Sequence, residues 1–176
     1  MKYLSLAAIF LSALSVQAAD LKLLSQDIQE GAPMHKRHEF NGFGCSGENL
    51  SPQLSWQNLP KGTKSIAVTA YDPDAPTGSG WWHWLVVDIP ADVTELPRKA
   101  DIAALKGREV RNDYSMTAFG GACPPPGHGM HRYQFTVWAL PVEKLQIGAD
   151  ASAAVVGYML NHQALAKATL TATYHR

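Results

Sequence analysis

Apolar and polar residues alternate with period two along much of the chain, a spacing that belongs to half-buried strands rather than helices. Lys64 to Tyr71 places Ile66, Val68 and Ala70 on one face. His131 to Leu140 sets Tyr133, Phe135, Val137 and Ala139 against more polar neighbours, and Ala168 to Tyr174 alternates again. Trp82 to Ile89 is apolar on both faces except at His83 and Asp88, as a central strand covered on both sides would be. Plain alternation puts His83 on a face with Leu85, Val87 and Ile89, and Trp82 and Trp84 on the other. One helix is predicted over Ala151 to Asn161, with Asp150 as N-cap and a continuation through Gln163 to Ala166. A second, short one is placed at Ile102 to Leu105. The connections are rich in Gly, Pro and Asn, no repeat period recurs, and no linker divides the chain. The pattern predicts a mainly β fold, a sandwich of antiparallel sheets with one or two peripheral helices.

The length of 176 residues fits one domain. Its first residues read differently: Met1-Lys2-Tyr3 carries one positive charge, Leu4 to Val16 is apolar apart from three serines, and Val16-Gln17-Ala18 resembles a cleavage site. That apolar run is shorter than the roughly 20 residues of a membrane-spanning helix and is followed by Asp20 and Lys22. Residues 1–18 are therefore expected to be a cleaved signal peptide and 19–176 the single domain, periplasmic or secreted and without a transmembrane anchor. In such an oxidising compartment Cys45 and Cys123, each beside glycines, are expected to pair, two buried thiols being the alternative. Fifteen basic residues balance fifteen acidic ones with no block of like charge, which argues against a nucleic-acid partner. A hydrophobic fraction of 46% against 17% charged supplies a core and argues against disorder.

Three clusters could carry chemistry. In Tyr71-Asp72-Pro73-Asp74-Ala75-Pro76, past a predicted strand end, Pro73 and Pro76 stiffen the turn and hold two carboxylates in place. Taken alone, the motif reads as an Asx-type turn with both carboxylates on backbone N–H groups. His83 starts a strand, where loops open for ligands, although a lone histidine on an apolar face is more often structural. The stretch from Phe119 to Tyr133 carries Gly120, Gly121, Pro124, Gly127 and Gly129 and runs into a strand on which His131 and Tyr133 share one face. An imidazole N–H and a phenol O–H at one strand mouth suit a phosphate or carboxylate oxygen, unless the pair belongs to the core.

Taken together, the D-P-D-x-P turn at Asp72 to Pro76, the strand start at His83 and the G-x-G-x-H-R-Y run at Gly127 to Tyr133 resemble the phosphatidylethanolamine-binding proteins, also called Raf kinase inhibitor-like proteins. Gly47 to Trp56 and the Gly120-Gly-Ala-Cys-Pro124 loop are similar to the bacterial YbhB/YbcL-like branch, its exported members in particular. The resemblance runs from about Leu21 to Tyr174. It implies a β-sandwich with a small pocket for phosphate, acetate, phosphoethanolamine or a phosphotyrosine-like group. Asp72 would line the pocket and orient an imidazole, His83 and His131 would donate to the anion, and Tyr133 would border it. Gly120, Gly121 and Pro124 would shape the rim and offer backbone N–H groups, while Asp74 and Arg132 would pair behind it as scaffolding. The last predicted strand lies close to Arg176, which implies a pocket without the C-terminal helix that borders it in animal members.

A metal-dependent or metal-free hydrolase built on His83, His131 and Asp72 is the rival reading. The sequence has no H-E-x-x-H or H-x-H spacing for a metal and no G-x-S-x-G nucleophile, and Cys123 is expected in a disulfide. The reading preferred is a non-enzymatic binding module without cofactor or metal. Its partner would be a small molecule, a lipid head group or a phosphorylated or carboxylate-bearing protein group, and a kinase or protease would be the protein it modulates. An exposed apolar strand face is compatible with a homodimer.

Overall fold

A computed structural model describes residues 19–176, so the expected signal peptide lies outside the described residues. In chain order the elements are β1 (Lys22–Leu24), a 3-10 turn (Lys36–His38), β2 (Asn41–Gly42), β3 (Cys45–Ser46), β4 (Leu54–Gln57), β5 (Ser65–Asp72), β6 (Trp81–Pro90), β7 (Glu95–Leu96), β8 (Arg108–Glu109), β9 (His131–Leu140), α1 (Ala153–Gln163) and β10 (Ala166–Tyr174). A five-stranded antiparallel sheet in the order β10-β9-β5-β6-β8 faces a three-stranded one, β1-β4-β7, and β2 pairs with β3. The fold is thus mainly β, as the alternation predicts.

The large sheet is buried on both faces. Ile66, Val68, Ala70, Trp84, Val86, Phe135 and Val137 meet Leu23, Leu54, Trp56 and Leu96 of the small sheet, while Ala67, Leu85, Val87, Trp138 and Leu140 meet Val156 and Leu160 of α1. Burial on two sides is why β6 reads as a continuous apolar run.

Two β-bulges break the alternation in β6. Ala70 pairs with Trp84 but Tyr71 with Trp82, and Ile66 pairs with Ile89 but Val68 with Val86, so β6 holds one extra residue at each place. The second bulge contains Asp88 at φ 63°. Each extra residue reverses the side-chain parity beyond it. Leu85 and Val87 consequently face α1, whereas Ile89 joins the inter-sheet core and the His83 ring packs on Tyr133 of that core. The shared face expected for His83, Leu85, Val87 and Ile89 is corrected by these bulges.

Three further boundaries differ from expectation. The N-cap of α1 is Ser152, whose hydroxyl accepts the Val155 N–H, and not Asp150. The helix ends at Gln163 because the Leu165 N–H already bonds the Ala139 carbonyl and Ala166 opens β10. The Ile102 to Leu105 segment is a turn: Asp101 accepts the Ala104 N–H, and Lys106 at φ 60° ends it before a helix can propagate.

Candidate functional site

The ends of β5, β6 and β9 open on one side of the sandwich, and the loops there enclose a cavity of about 200 Å³. Asp72, His83, His131, Tyr133, Pro76 and Pro124 line it; Pro73, Asp74, Arg132, Gly120 and Gly121 do not. Lining residues that the sequence motifs did not single out include Phe43, Trp81 and Tyr114.

Asp72 ends β5 only 2% exposed. Its Oδ1 accepts the Asp74 N–H at 2.8 Å, which makes the Asx turn, and its Oδ2 accepts from His131 Nδ1 at 2.7 Å. One carboxylate therefore does both jobs between which the sequence left a choice. Asp74 pairs outside the cavity with Arg132, its Oδ2 accepting Nε–H and the backbone N–H at 2.9 Å and its Oδ1 accepting Nη2–H at 2.7 Å. This bidentate clamp ties the turn to β9.

His83 is the extra residue of the first bulge, which turns its ring to the cavity side. Its carbonyl, out of the ladder, accepts from the Gly120 N–H at 3.0 Å and the Asn112 amide at 2.8 Å. Its Nδ1 lies 2.8 Å from the Gly120 carbonyl and 3.1 Å from that of Gly121. Carbonyls only accept, so Nδ1 carries the proton and Nε2 of the neutral ring is a lone pair. Burial pushes the ring's pKa down to about 4. The expected donation from His83 to an anion thus requires a second proton on this ring.

The glycines also act differently from expectation. The Gly120 N–H is spent on His83 and the Gly121 N–H on Asn49 Oδ1 at 2.7 Å, so neither is offered to a ligand. Their glycine character reflects close approach: a Cβ on Gly120 would lie 2.4 Å from the Tyr114 ring, and one on Gly121 2.2 Å from the His38 carbonyl oxygen. They form the wall behind His83, not the rim.

Two buried donors point to a ligand. Tyr133 is 2% exposed and its hydroxyl has no hydrogen-bond partner among the described residues, and neither has the indole N–H of Trp81. Burial also pushes the Tyr133 and Tyr114 phenols well up, so both stay protonated at neutral pH. Tyr114 stacks on Phe40 with ring centroids 4.3 Å apart and on Phe43 at 5.7 Å. Phe43, 75% exposed at φ 52°, forms an apolar lip. The sequence pattern held a signal for Trp81, next in line on an aromatic strand start, but none that distinguishes Tyr114 or Phe43 from surface aromatics. Cys45 and Cys123 form a disulfide with Cα atoms 6.0 Å apart, and Cys123 lies on the cavity wall. Among the described residues no three His, Cys, Asp or Glu side chains are grouped as metal ligands would be.

The family model for phosphatidylethanolamine-binding protein matches residues 24–175. YbcL of Escherichia coli K12 is 51% identical over 168 residues, covering 91% of this chain and 90% of its own, and YbhB of the same organism is 46% identical over 158 residues, covering 88% and 99%. The crystal structure of E. coli YbcL, described as a member of the mammalian PEBP family, superposes with a TM-score of 0.85 at 50% identity over 90% of this chain and 99% of that one. A homologue from Chlamydia trachomatis superposes with a TM-score of 0.76 at 27% identity, covering 89% and 98%. The fold, the length matched and these identities agree: this chain belongs to the phosphatidylethanolamine-binding protein family.

Proposed function

We propose that the pocket binds the phosphate or carboxylate group of a small molecule, a lipid head group or a protein, and that the chain is an exported binding module rather than an enzyme. The observation that carries this reading is that Tyr133 and Trp81, which line the cavity with His83 and His131, each keep a buried donor without a partner, Oη and Nε1. A buried donor left without a partner costs about 1–3 kcal/mol, and an anion's oxygens relieve that cost. Asp72 opposes a second negative charge in the pocket, but both of its oxygens already accept hydrogen bonds. Its remaining effect is to fix the orientation of the His131 ring beside the anion.

A nucleophile for the hydrolase reading is hard to find in this lining. The Cys123 sulfur is bonded to Cys45, and the Thr77 hydroxyl donates to the Gly80 carbonyl. The Cys45–Cys123 bridge supports an oxidising compartment and with it export. In that setting the chain modulates a kinase, protease or signalling partner by holding its anionic group.

Calorimetric titration with phosphoethanolamine and with phosphotyrosine, on the wild type and on His131→Ala and His83→Ala, tests the proposal. Binding by the wild type and loss of at least tenfold in affinity in His131→Ala is the expected result. Equal affinity in all three proteins would overturn it.

A further inference from the structure

His128 belongs to none of the roles assigned above, yet it makes the contact that decides whether His131 can meet a ligand. His131 is 1% exposed and gives Nδ1–H to Asp72 Oδ2, while its Nε2 lies 2.8 Å from Nδ1 of His128. With the His131 proton on Nδ1, the neutral ring's Nε2 is an acceptor, so His128 supplies the N–H in this contact. Both nitrogens of the ring expected to hold the anion are then taken by the protein itself.

The plug is built to move. His128 is exposed and stands between Gly127 at φ 73° and Gly129 at φ 94°. A Cβ at either glycine would meet nothing within 4 Å, so the two positions use glycine's backbone freedom and not its small size. The approach to the loop is held, by contrast: the Gly127 N–H bonds the Arg176 carbonyl and the His128 N–H bonds that of Pro125, both at 3.1 Å. The imidazole can therefore swing without unfolding the loop that carries it.

We propose that His128 is a self-blocking residue of the binding site: in the empty pocket it occupies the place on His131 Nε2 that an anion takes, and a ligand binds by displacing it while Nε2 gains a proton, from solvent or from the ligand's own P–OH, to donate to the anion. This rests on the anion-binding reading above. It makes a prediction of unusual sign, because removing a side chain next to the ligand tightens binding. If His128 instead reached out to donate to the anion, its removal would weaken binding.

The experiment titrates O-phosphoethanolamine into the full chain by calorimetry at neutral pH, with wild type, His128→Ala, His128→Asn and His131→Ala compared. The net worth of one hydrogen bond, expressed as affinity, predicts binding about two- to tenfold tighter for His128→Ala. His128→Asn, whose side-chain N–H falls near the place of the imidazole Nδ1–H, returns the affinity to near the wild-type value. His131→Ala loses binding. Unchanged or weaker binding by His128→Ala, with His131→Ala still defective, overturns the blocking role and leaves the anion site standing. Absence of binding in the wild type and in His128→Ala alike overturns the anion site and the blocking role with it.

Discussion

Tyr133 shows how a residue proposed to meet a ligand can work against the fold that carries it. Its ring packs edge-on to His83 at 5.1 Å between centroids, but its hydroxyl is buried and unpaired. Tyr133→Phe removes the unpaired group and keeps the ring, so urea unfolding should show a gain of about 1 kcal/mol in stability without ligand. Phosphoethanolamine affinity should fall in the same variant. A loss of stability would mean that the hydroxyl is already satisfied. His83 has a parallel conflict, with the sign set by its lowered pKa. An unfolded chain takes up a proton on this ring near pH 6.5, whereas the folded ring resists until about pH 4. Stability is therefore complete above pH 6.5 and declines as pH falls toward 4, by on the order of 3 kcal/mol from this group. His38, fully buried with its Nδ1 on the Leu50 carbonyl and its pKa lowered by burial, adds in the same direction. Replacing His83 with Gln should flatten the pH profile of the urea midpoint over that range; an unaltered slope would contradict the buried neutral ring. Anion affinity has the opposite trend. An anion favours the charged ring, so binding of sulfate, whose own charge is fixed across this range, should strengthen from pH 7 toward 5.

Among the elements, β6 matters most, because its bulges decide what the pocket contains. An uninterrupted strand would send His83 to the α1 face with Leu85 and Val87; the extra residue sends it to the Tyr133 side instead. Local composition cannot reveal this, since a bulge is set by the partner strands and by Asn112 and Gly120, which donate N–H bonds to the stray His83 carbonyl from 29 and 37 residues away in the chain. The regular parts were legible: β9 spans His131–Leu140 as its alternation predicts, and β5 and β6 differ by a residue at each end. Helix ends were less so, because Ser152 against Asp150 is a choice between two good caps that the packing of Ala153 and Val156 makes. Of the site, the residues with distinctive chemistry could be read from motifs; Tyr114 enters through contacts with Trp81 and His83, distant from it in sequence, whereas the contact of His128 is local, with His131 three residues on, and only the folded loop shows that the two rings meet. Gly120→Ala tests the element-scale account. Its Cβ would press on the Tyr114 ring, which is expected to cost about 1–3 kcal/mol and to disturb the carbonyl that fixes the His83 tautomer. Wild-type stability and affinity in that variant would show that the wall behind His83 can yield.

For the molecule as a whole, zero formal charge provides no long-range field to draw anions in, so the proposed binding has to come from a few local donors held in place. What holds them is distributed. The loop carrying Cys123 is tied to the 3-10 turn and its neighbour by the Phe40 and Ala122 N–H groups, to Asn49 by two side-chain bonds, and to the chain's end where Arg176 Nε donates to the Pro124 carbonyl. The Cys45–Cys123 bridge adds to these ties a covalent link across 78 residues. In the chain-entropy model, closing a loop of that length stabilises the fold by about 4 kcal/mol, mostly by restricting the unfolded chain. The hydrogen bonds among Asp72, His83, His131 and their partners are made by groups other than the two cysteines. The Cys45→Ala, Cys123→Ala double variant should therefore lose about 4 kcal/mol in urea unfolding while its phosphoethanolamine affinity, measured well below the unfolding transition, stays within about threefold of the wild type. Stability and binding that fell together by more than tenfold in affinity would show that the disulfide shapes the pocket, and an unchanged urea midpoint would show that the loop is already restrained without it.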